Sequence, residues 1–160
     1  MAPLTPVDED GLLDAVTEAL ATGSPLDVAG SGSKRALGRA TKAGQRLDLT
    51  GLTGISLYEP EELVMTARAG TSLGDIAQAL LQRGQMLAFE PPDWGPLLGA
   101  APGSATIGGT FACNMAGPRR IKAGAARDHI LGLHAVTGWA EPVQAGGRVV
   151  KNVTGYDMCK

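Results

Sequence analysis

Residues 26–38 of the chain read LDVAGSGSKRALG, a short apolar run that passes directly into a loop rich in glycine and serine. The first four residues predict a strand. The glycines that follow allow backbone N–H groups to turn toward an anion, while Ser31 and Ser33 add hydroxyl donors and Lys34 adds a positive charge. The stretch therefore predicts an anion-binding loop, with an ordinary glycine–serine turn as the alternative.

This loop is a poor match to two common nucleotide-binding motifs. Arg35 occupies the position at which the Rossmann fingerprint Gly-x-Gly-x-x-Gly needs its third glycine. Residues 38–44, GRATKAG, do not predict the apolar helix that follows that fingerprint. The chain also lacks the Gly-x-x-x-x-Gly-Lys-Ser/Thr sequence of a Walker loop. The loop therefore gives only weak support to a nicotinamide-dependent Rossmann dehydrogenase, which ranks below the two functions given at the end of this subsection.

A second glycine-rich segment runs over 102–120. Thr106 can cap a helix whose first turn contains Gly108 and Gly109. Unpaired amides at such a helix start, unobstructed by Cβ atoms, form a site for a diphosphate. The alternative is a tightly packed helix that needs small residues where it crosses a neighbour.

Length and composition restrict the class of protein. The 160 residues suggest about one domain, since the prior is roughly one domain per 150 residues. The net charge of −2 argues against nucleic acid as the main partner, because proteins that bind phosphate backbones carry a basic face. No signal peptide is visible, and the longest uncharged stretch is broken by glycines and prolines. These features predict a cytoplasmic protein without a transmembrane segment.

Helical and strand patterns alternate along the rest of the chain. Asp8 and Gly23 flank a first helical pattern, and Ser72 begins another. Pro60 favours a hairpin turn between two apolar runs, with a helix from Glu61 as the alternative. The pattern indicates a mixed α/β or α+β class, with helices predicted over 8–20, 73–81 and 106–114, strands over 26–29, 47–49, 55–58, 63–69, 130–136 and 147–150, and a long loop over 90–104.

The cysteines and histidines form no metal-binding pattern. Cys113 and Cys159 lack metal-ligand spacing and are predicted to be buried, inert thiols. His129 and His134 are five residues apart on an expected strand and should point to opposite faces, so we predict no shared metal site.

Three charged residues late in the chain have structural alternatives to a chemical role. Asp128 is expected to accept hydrogen bonds from backbone N–H groups at a turn, in preference to general-base catalysis. Arg119 and Arg120 either neutralise a phosphate or an acidic substrate, or form a solvated pair. No catalytic constellation is readable from spacing alone.

Nine short motifs are distributed over nearly the whole chain. In order they are 29–34 (AGSGSK), 58–63 (YEPEEL), 69–73 (AGTSL), 84–92 (GQMLAFEPP), 105–109 (ATIGG), 117–120 (GPRR), 124–128 (GAARD), 131–132 (LG) and 150–157 (VKNVTGYD). In this order they resemble the FAD-binding domain of the vanillyl-alcohol oxidase and p-cresol methylhydroxylase (PCMH-type) family. Within that family the likeness is strongest to the FAD-binding E subunits of bacterial glycolate oxidases.

The resemblance implies an α+β fold, an FAD-binding PCMH-type domain of two α+β subdomains over about 1–52 and 53–160, with the FAD diphosphate between them. Family members continue further, so it also implies a domain truncated at its C-terminal end. The cofactor-binding residues that it implies are Gly30, Ser31, Gly32, Ser33, Lys34 and Gly38 in and behind a first diphosphate loop, Ser104, Thr106, Gly108 and Gly109 in a second contact, and Asn114 and Gly117 near the flavin. Residues 152–157 are assigned loosely to a wall near the cofactor.

The activity that the resemblance implies is that of the FAD-binding subunit of a flavin-dependent 2-hydroxy-acid oxidoreductase resembling glycolate oxidase. Its partners would be a hydroxy acid substrate, a second flavoprotein subunit and an iron–sulfur subunit. Some relatives attach flavin through His or Cys, but the first loop has neither and Cys113 matches no attachment position, so FAD is expected to bind non-covalently. A non-catalytic remnant or assembly module of the same fold is the alternative.

Overall fold

The first element of the structure is a helix with marked ends, α1, which spans Glu9–Thr22. The computed structural model describes residues 2–147 and 158–159. The Asp8 carboxylate accepts a hydrogen bond from the Gly11 amide at 2.8 Å. Gly23 ends the helix with φ of 63°, a left-handed conformation that glycine adopts without strain. The helix predicted over 8–20 is confirmed.

Two short parallel strands follow, β1 over Leu26–Ala29 and β2 over Gln45–Asp48. Strand β2 begins two residues before the predicted 47–49, and Leu49 starts a 3₁₀ turn. The Asp48 carboxylate caps that turn by accepting from the Thr50 amide at 3.0 Å. The chain after β1 forms turns and bends rather than a helix, so the Rossmann option is wrong.

An antiparallel hairpin comes next, with β3 over Ile55–Glu59 and β4 over Val64–Ala67. A 3₁₀ turn over Pro60–Glu62 joins the strands, and Leu63 adopts φ of 58° where the chain reverses. The predicted hairpin is confirmed, and helical structure from Glu61 is limited to this single turn.

The core forms where the hairpin meets two helices. Helix α2 spans Leu73–Leu81 and begins at Ser72, whose hydroxyl accepts from the Asp75 amide at 3.0 Å. Ile76 and Leu80 of α2 pack with Ile107, and partly buried hairpin residues surround them. Ile76 is 1 % exposed, which makes it the centre of the cluster.

Helix α3 spans Ile107–Ala112 and follows the long loop, whose regular structure is one 3₁₀ turn over Pro96–Leu98. Backbone hydrogen bonds join the starts of α2 and α3. The Leu73 amide donates to the Ala105 carbonyl at 2.8 Å, and the Ile107 amide donates to the Thr71 carbonyl at 2.9 Å. These bonds fix where the second glycine-rich segment begins.

The C-terminal part of the described chain contains a short helix, α4, over Arg120–Ala123, and a hairpin of β5 over Gly132–Val136 and β6 over Pro142–Gly146. The strand predicted over 130–136 is confirmed in its main part. Strand β6 is missed by the sequence pattern because proline and glycine occupy its ends. The strand predicted over 147–150 is not found at residue 147, and 148–150 lie outside the described residues.

The described elements thus combine helices with three two-stranded sheets, of which β1–β2 is parallel and the other two antiparallel. This mixed content agrees with the α+β class. Within residues 2–147 and 158–159, no helix has the length and apolarity needed to cross a bilayer.

Candidate functional site

The first glycine-rich loop lies directly against the start of α3. A Cβ atom on Gly30 would overlap the Thr106 hydroxyl, so the two segments approach as closely as glycine permits. Thr106 is 4 % exposed, and its Oγ1 accepts from the Gly109 amide at 3.3 Å. Two segments that are distant in sequence therefore meet at one place.

Consecutive backbone amides of the first loop are available for a ligand. In the part of the chain that the structure describes, the amides of residues 31–34 have no hydrogen-bond acceptor. Gly32 adopts φ of 76°, and the Arg35 amide closes a turn by donating to the Gly32 carbonyl at 3.0 Å. Successive N–H groups in turns of this kind form concave anion-binding sites. The predicted anion-binding loop thus has the donors that its function requires.

Lys34 adds an uncompensated positive charge to this loop. Its Nζ lies 3.4 Å from the hydroxyl of Ser33, which is 4 % exposed. A Cβ on Gly109 would lie 3.8 Å from the same Nζ, so the ammonium group faces the start of α3. Among the described residues, Lys34 forms no ion pair with a carboxylate. Its charge remains available to an anion.

The amides at the start of α3 differ from the prediction. The amides of Ile107, Gly108 and Gly109 already donate, to the Thr71 carbonyl, the Ala69 carbonyl at 2.8 Å and the Thr106 hydroxyl. The expectation of unpaired amides there is wrong, because Ala69 and Thr71 accept from the first two amides and the Thr106 hydroxyl caps the third.

The two glycines of α3 have different surroundings. A Cβ on Gly108 would lie 2.8 Å from both the Cβ and the carbonyl oxygen of Ala69, so this position needs glycine for packing. A Cβ on Gly109 would meet only the Thr106 hydroxyl at 3.2 Å and the Lys34 ammonium at 3.8 Å. The packing alternative therefore explains Gly108, whereas Gly109 faces the first loop.

Among the described residues, the other predicted site residues form no hydrogen bond with residues 30–34. Gly38 has φ of 80° and open space around it. Ser104 donates to the Ala101 carbonyl at 2.7 Å. Asn114 has φ of 45° and accepts from the Arg127 amide. Gly117 donates to the Phe89 carbonyl at 2.8 Å and lies so close to Glu90 that a Cβ would overlap its carbonyl oxygen.

Two arginine–aspartate pairs beside the first loop are not predicted from the sequence. Arg35 pairs with Asp27 of β1, and Arg46 of β2 lies 3.6 Å from Asp48. Arg46 also donates to the Gly30 carbonyl at 3.3 Å. The sequence signal for the second pair is that Arg46 and Asp48 are two residues apart on one strand and so share a face, whereas the first pair depends on the course of the loop.

Three carboxylates have a lowered pKa, two of them chiefly because of a neighbouring arginine. The hydrogen bond from Arg35 lowers the pKa of Asp27, despite the opposing effect of desolvation. Desolvation raises the pKa of Asp48, but hydrogen bonds from Thr50 and the charge of Arg46 together lower it. The hydrogen bond from Arg119 lowers the pKa of Glu90. In all three groups the lowered pKa favours the charged carboxylate.

We expect the Asp27–Arg35 pair to make stability depend on pH in acid. Because the pKa of Asp27 is lowered on folding, its contribution is full above the ordinary value of 3.8 and is lost as the pH falls below it. Asp27→Asn should therefore have a lower Tm than the unaltered protein at neutral pH. At about pH 3 the difference in Tm between the two proteins should be smaller. Asp14→Asn, at an exposed position of α1, is the control. A difference in Tm that stays constant with pH would contradict this expectation.

The cysteines and histidines are only partly as predicted. Cys159 is buried as expected, but Cys113 is exposed, because it lies at the C-terminal end of α3. His129 lies in a 3₁₀ turn before β5 and not on a strand, whereas His134 is on β5. No metal-binding cluster occurs among the described residues.

Of the charged residues late in the chain, Asp128 behaves as predicted, since its carboxylate accepts from the Ala125 amide at 2.8 Å. Arg119 forms an ion pair with Glu90 at 2.7 Å, while Arg120 is exposed at the start of α4. The ion pair places Arg119 against a carboxylate of the protein, and for Arg120 both alternatives stay predictions.

Two surface cavities lie away from the junction of the glycine-rich segments. One, of about 420 Å³, is lined by the start of α1 and by Arg68. The other, of about 450 Å³, lies between α2 and the long loop. Neither cavity is lined by residues 30–34, Thr106 or Gly109.

Comparisons with known proteins place the chain in a family of FAD-binding domains. A family model described as "FAD binding domain" matches residues 2–146. The chain is 46 % identical to glycolate oxidase subunit GlcE of Escherichia coli over 149 residues, 93 % of this chain and 40 % of that protein. It is 31 % identical to glycolate oxidase subunit GlcD of Bacillus subtilis over 85 % of this chain and 27 % of that protein. It is 32 % identical to a D-lactate dehydrogenase of Anaerostipes hadrus over 72 % of this chain and 22 % of that protein. The chain therefore spans less than half the length of these relatives.

Proposed function

Because the chain belongs to the FAD binding domain family, we propose that it is the FAD-binding portion of a flavin-dependent 2-hydroxy-acid oxidoreductase resembling glycolate oxidase. The observation that carries this proposal is the first loop beside the start of α3, in which amides 31–34 have no acceptor and Lys34 has no carboxylate partner among the described residues. A diphosphate is the part of FAD whose charge and acceptor oxygens fit such donors.

The first loop and the start of α3 divide the proposed contacts between them. Amides 31–34 and Lys34 supply the donors, and the missing side chain of Gly109 supplies space, while that of Gly30 lets the loop approach Thr106. Thr106 and Gly108 support the site without donating to the cofactor, since their polar groups form hydrogen bonds within the protein. The full set that we propose to hold FAD is Gly30, Ser31, Gly32, Ser33, Lys34, Gly38, Ser104, Thr106, Gly108 and Gly109, with Asn114 and Gly117 nearer the flavin.

When bound, FAD supplies the two-electron chemistry that oxidises a hydroxy acid. The described residues bind and orient the cofactor, and we assign none of them to substrate. Since the first loop contains neither His nor Cys, we propose that FAD is held non-covalently.

The assembly proposed for the whole protein extends beyond this chain. Its relatives include proteins named as two different glycolate oxidase subunits, which supports a second flavoprotein subunit as partner. We also propose an iron–sulfur subunit as a further partner and a cytoplasmic location. Within the chain, we propose a division into subdomains over about 1–52 and 53–160. Size-exclusion chromatography of the co-expressed subunits tests the partners, since a complex should elute ahead of each subunit alone.

Titration of the purified protein with FAD tests the proposed cofactor. We expect flavin fluorescence to be quenched on binding and ADP, which shares the diphosphate, to compete better than riboflavin, which has no phosphate. Acid precipitation should release the flavin into the supernatant if it is held non-covalently. Absence of quenching at any FAD concentration would contradict the proposal.

Lys34→Met should weaken FAD binding about tenfold, because a charge-assisted contact is worth about 1.5–3 kcal/mol and this group is partly exposed. The remaining affinity should depend less on salt than that of the unaltered protein, because one screened ionic contact is gone. Fluorescence titration at two salt concentrations measures both effects.

Lys42→Met is the matched control for this change, since Lys42 is exposed in the loop that follows and lies outside the proposed contacts. Its affinity should equal that of the unaltered protein. Equal losses in the two variants would mean that net charge, and not the position of Lys34, determines binding.

A further inference from the structure

Arg46 contacts the first glycine-rich loop although it belongs to β2. Its Nη2 donates to the Gly30 carbonyl at 3.3 Å and lies 3.6 Å from the Asp48 carboxylate. A Cβ on Gly32 would lie 3.6 Å from the same nitrogen. One guanidinium group thus connects β2 to the loop at the point where the loop leaves β1.

The charge of Arg46 is balanced within the protein, unlike that of Lys34. Asp48 lies beside Arg46, and Asp27 pairs with Arg35 on the neighbouring strand. Arg46 Nε is buried and has no hydrogen-bond partner among the described residues. The Nη2 contacts therefore hold the guanidinium group in position. Because its charge is balanced by a carboxylate, we do not expect it to bind an anion directly.

The contact with Gly30 determines the direction of the next amide. The Gly30 carbonyl and the Ser31 N–H belong to the same planar trans peptide unit, in which they point in opposite directions. When Arg46 holds the carbonyl, the Ser31 N–H is directed away from β2. The amide of Ser31 is the first of the free donors over 31–34.

We infer that Arg46 is a positioning residue for the cofactor, which holds the Gly30 peptide so that amides 31–34 face the diphosphate together. The inference rests on the proposed function, since FAD is the ligand that these amides would meet. It extends the site to β2, where no contact with the cofactor itself is needed.

Three substitutions test this role by FAD fluorescence titration. Arg46→Met keeps an unbranched apolar stem but removes the donor, and should weaken FAD binding about tenfold. Arg46→Lys keeps a charged donor and should restore affinity to within about threefold. Arg68→Met is the matched control, because Arg68 also donates to a backbone carbonyl, that of Val7 at 3.2 Å, and it should bind FAD normally.

Two further measurements separate positioning from direct contact and from loss of folding. Arg46→Met should keep the salt dependence of binding that Lys34→Met flattens, and its Tm should stay within a few degrees of the unaltered protein. In the absence of FAD, hydrogen exchange over residues 30–37 should be faster in Arg46→Met, because the turn closed by the Arg35 amide loosens.

The outcomes distinguish this inference from the proposed function. Unchanged FAD affinity in Arg46→Met, a flattened salt dependence, or unchanged exchange over 30–37 would each overturn the positioning role. If the unaltered protein and Arg68→Met bind no FAD, the proposed function fails. The exchange measurement still decides in that case whether Arg46 orders the loop.

Discussion

Gly30→Val is expected to abolish high-affinity FAD binding, with a loss of about 100-fold or more. Its Cβ would overlap the Thr106 hydroxyl, so the first loop and the start of α3 must separate. Separation displaces several donors at once, and each charge-assisted contact is worth about 1.5–3 kcal/mol. The overpacking should also cost about 1–3 kcal/mol of unfolding free energy. FAD titration and denaturant unfolding measure the two losses.

Gly44→Val is the control for this substitution. Gly44 lies in the loop before β2, has no left-handed φ, and a Cβ there would meet no atom within 4 Å. The same change of residue type should therefore leave both affinity and stability close to those of the unaltered protein. Binding by Gly30→Val at normal affinity would show that FAD does not depend on contact between the two segments.

The sequence predicts local structure well where a cap or a turn residue marks it. Asp8, Ser72 and Thr106 each cap a helix through a side-chain oxygen, as their positions indicate. Pro60 marks the hairpin turn for an equally local reason. These features depend on residues within a few positions of each other, so no knowledge of the fold is needed to find them.

Features that depend on strand register or on crossing segments could not be predicted in this way. The first two amides of α3 are occupied because residues 69–71 cross them, and Arg46 reaches Gly30 because β1 and β2 are parallel. Cys113 is exposed because α3 ends where its side chain faces solvent. The family resemblance indicated which segments meet. Which of their residues offer hydrogen-bond donors and which are needed for packing is visible only in the structure.

Gly108 and Gly109 offer a test in which stability and binding should respond separately. Gly108→Ala places a Cβ 2.8 Å from the Ala69 backbone, and we expect it to cost about 1–3 kcal/mol of unfolding free energy. Gly109→Ala meets no close backbone atom, and alanine favours a helix over glycine by about 0.5–1 kcal/mol. Its stability should therefore be unchanged or slightly raised, as denaturant unfolding would show.

For FAD affinity we expect the opposite order, with Gly109→Ala losing more than Gly108→Ala. The added methyl group of Gly109→Ala lies on the surface that faces the Lys34 ammonium, where we place the diphosphate, and we expect about a 30-fold loss of FAD affinity, equivalent to about 2 kcal/mol. A folded, equally stable protein that binds FAD about 30-fold more weakly is the signature of a contact residue, because a packing role would lower stability first. Normal FAD affinity in Gly109→Ala would instead place the cofactor away from α3, and the first loop alone would then hold the diphosphate.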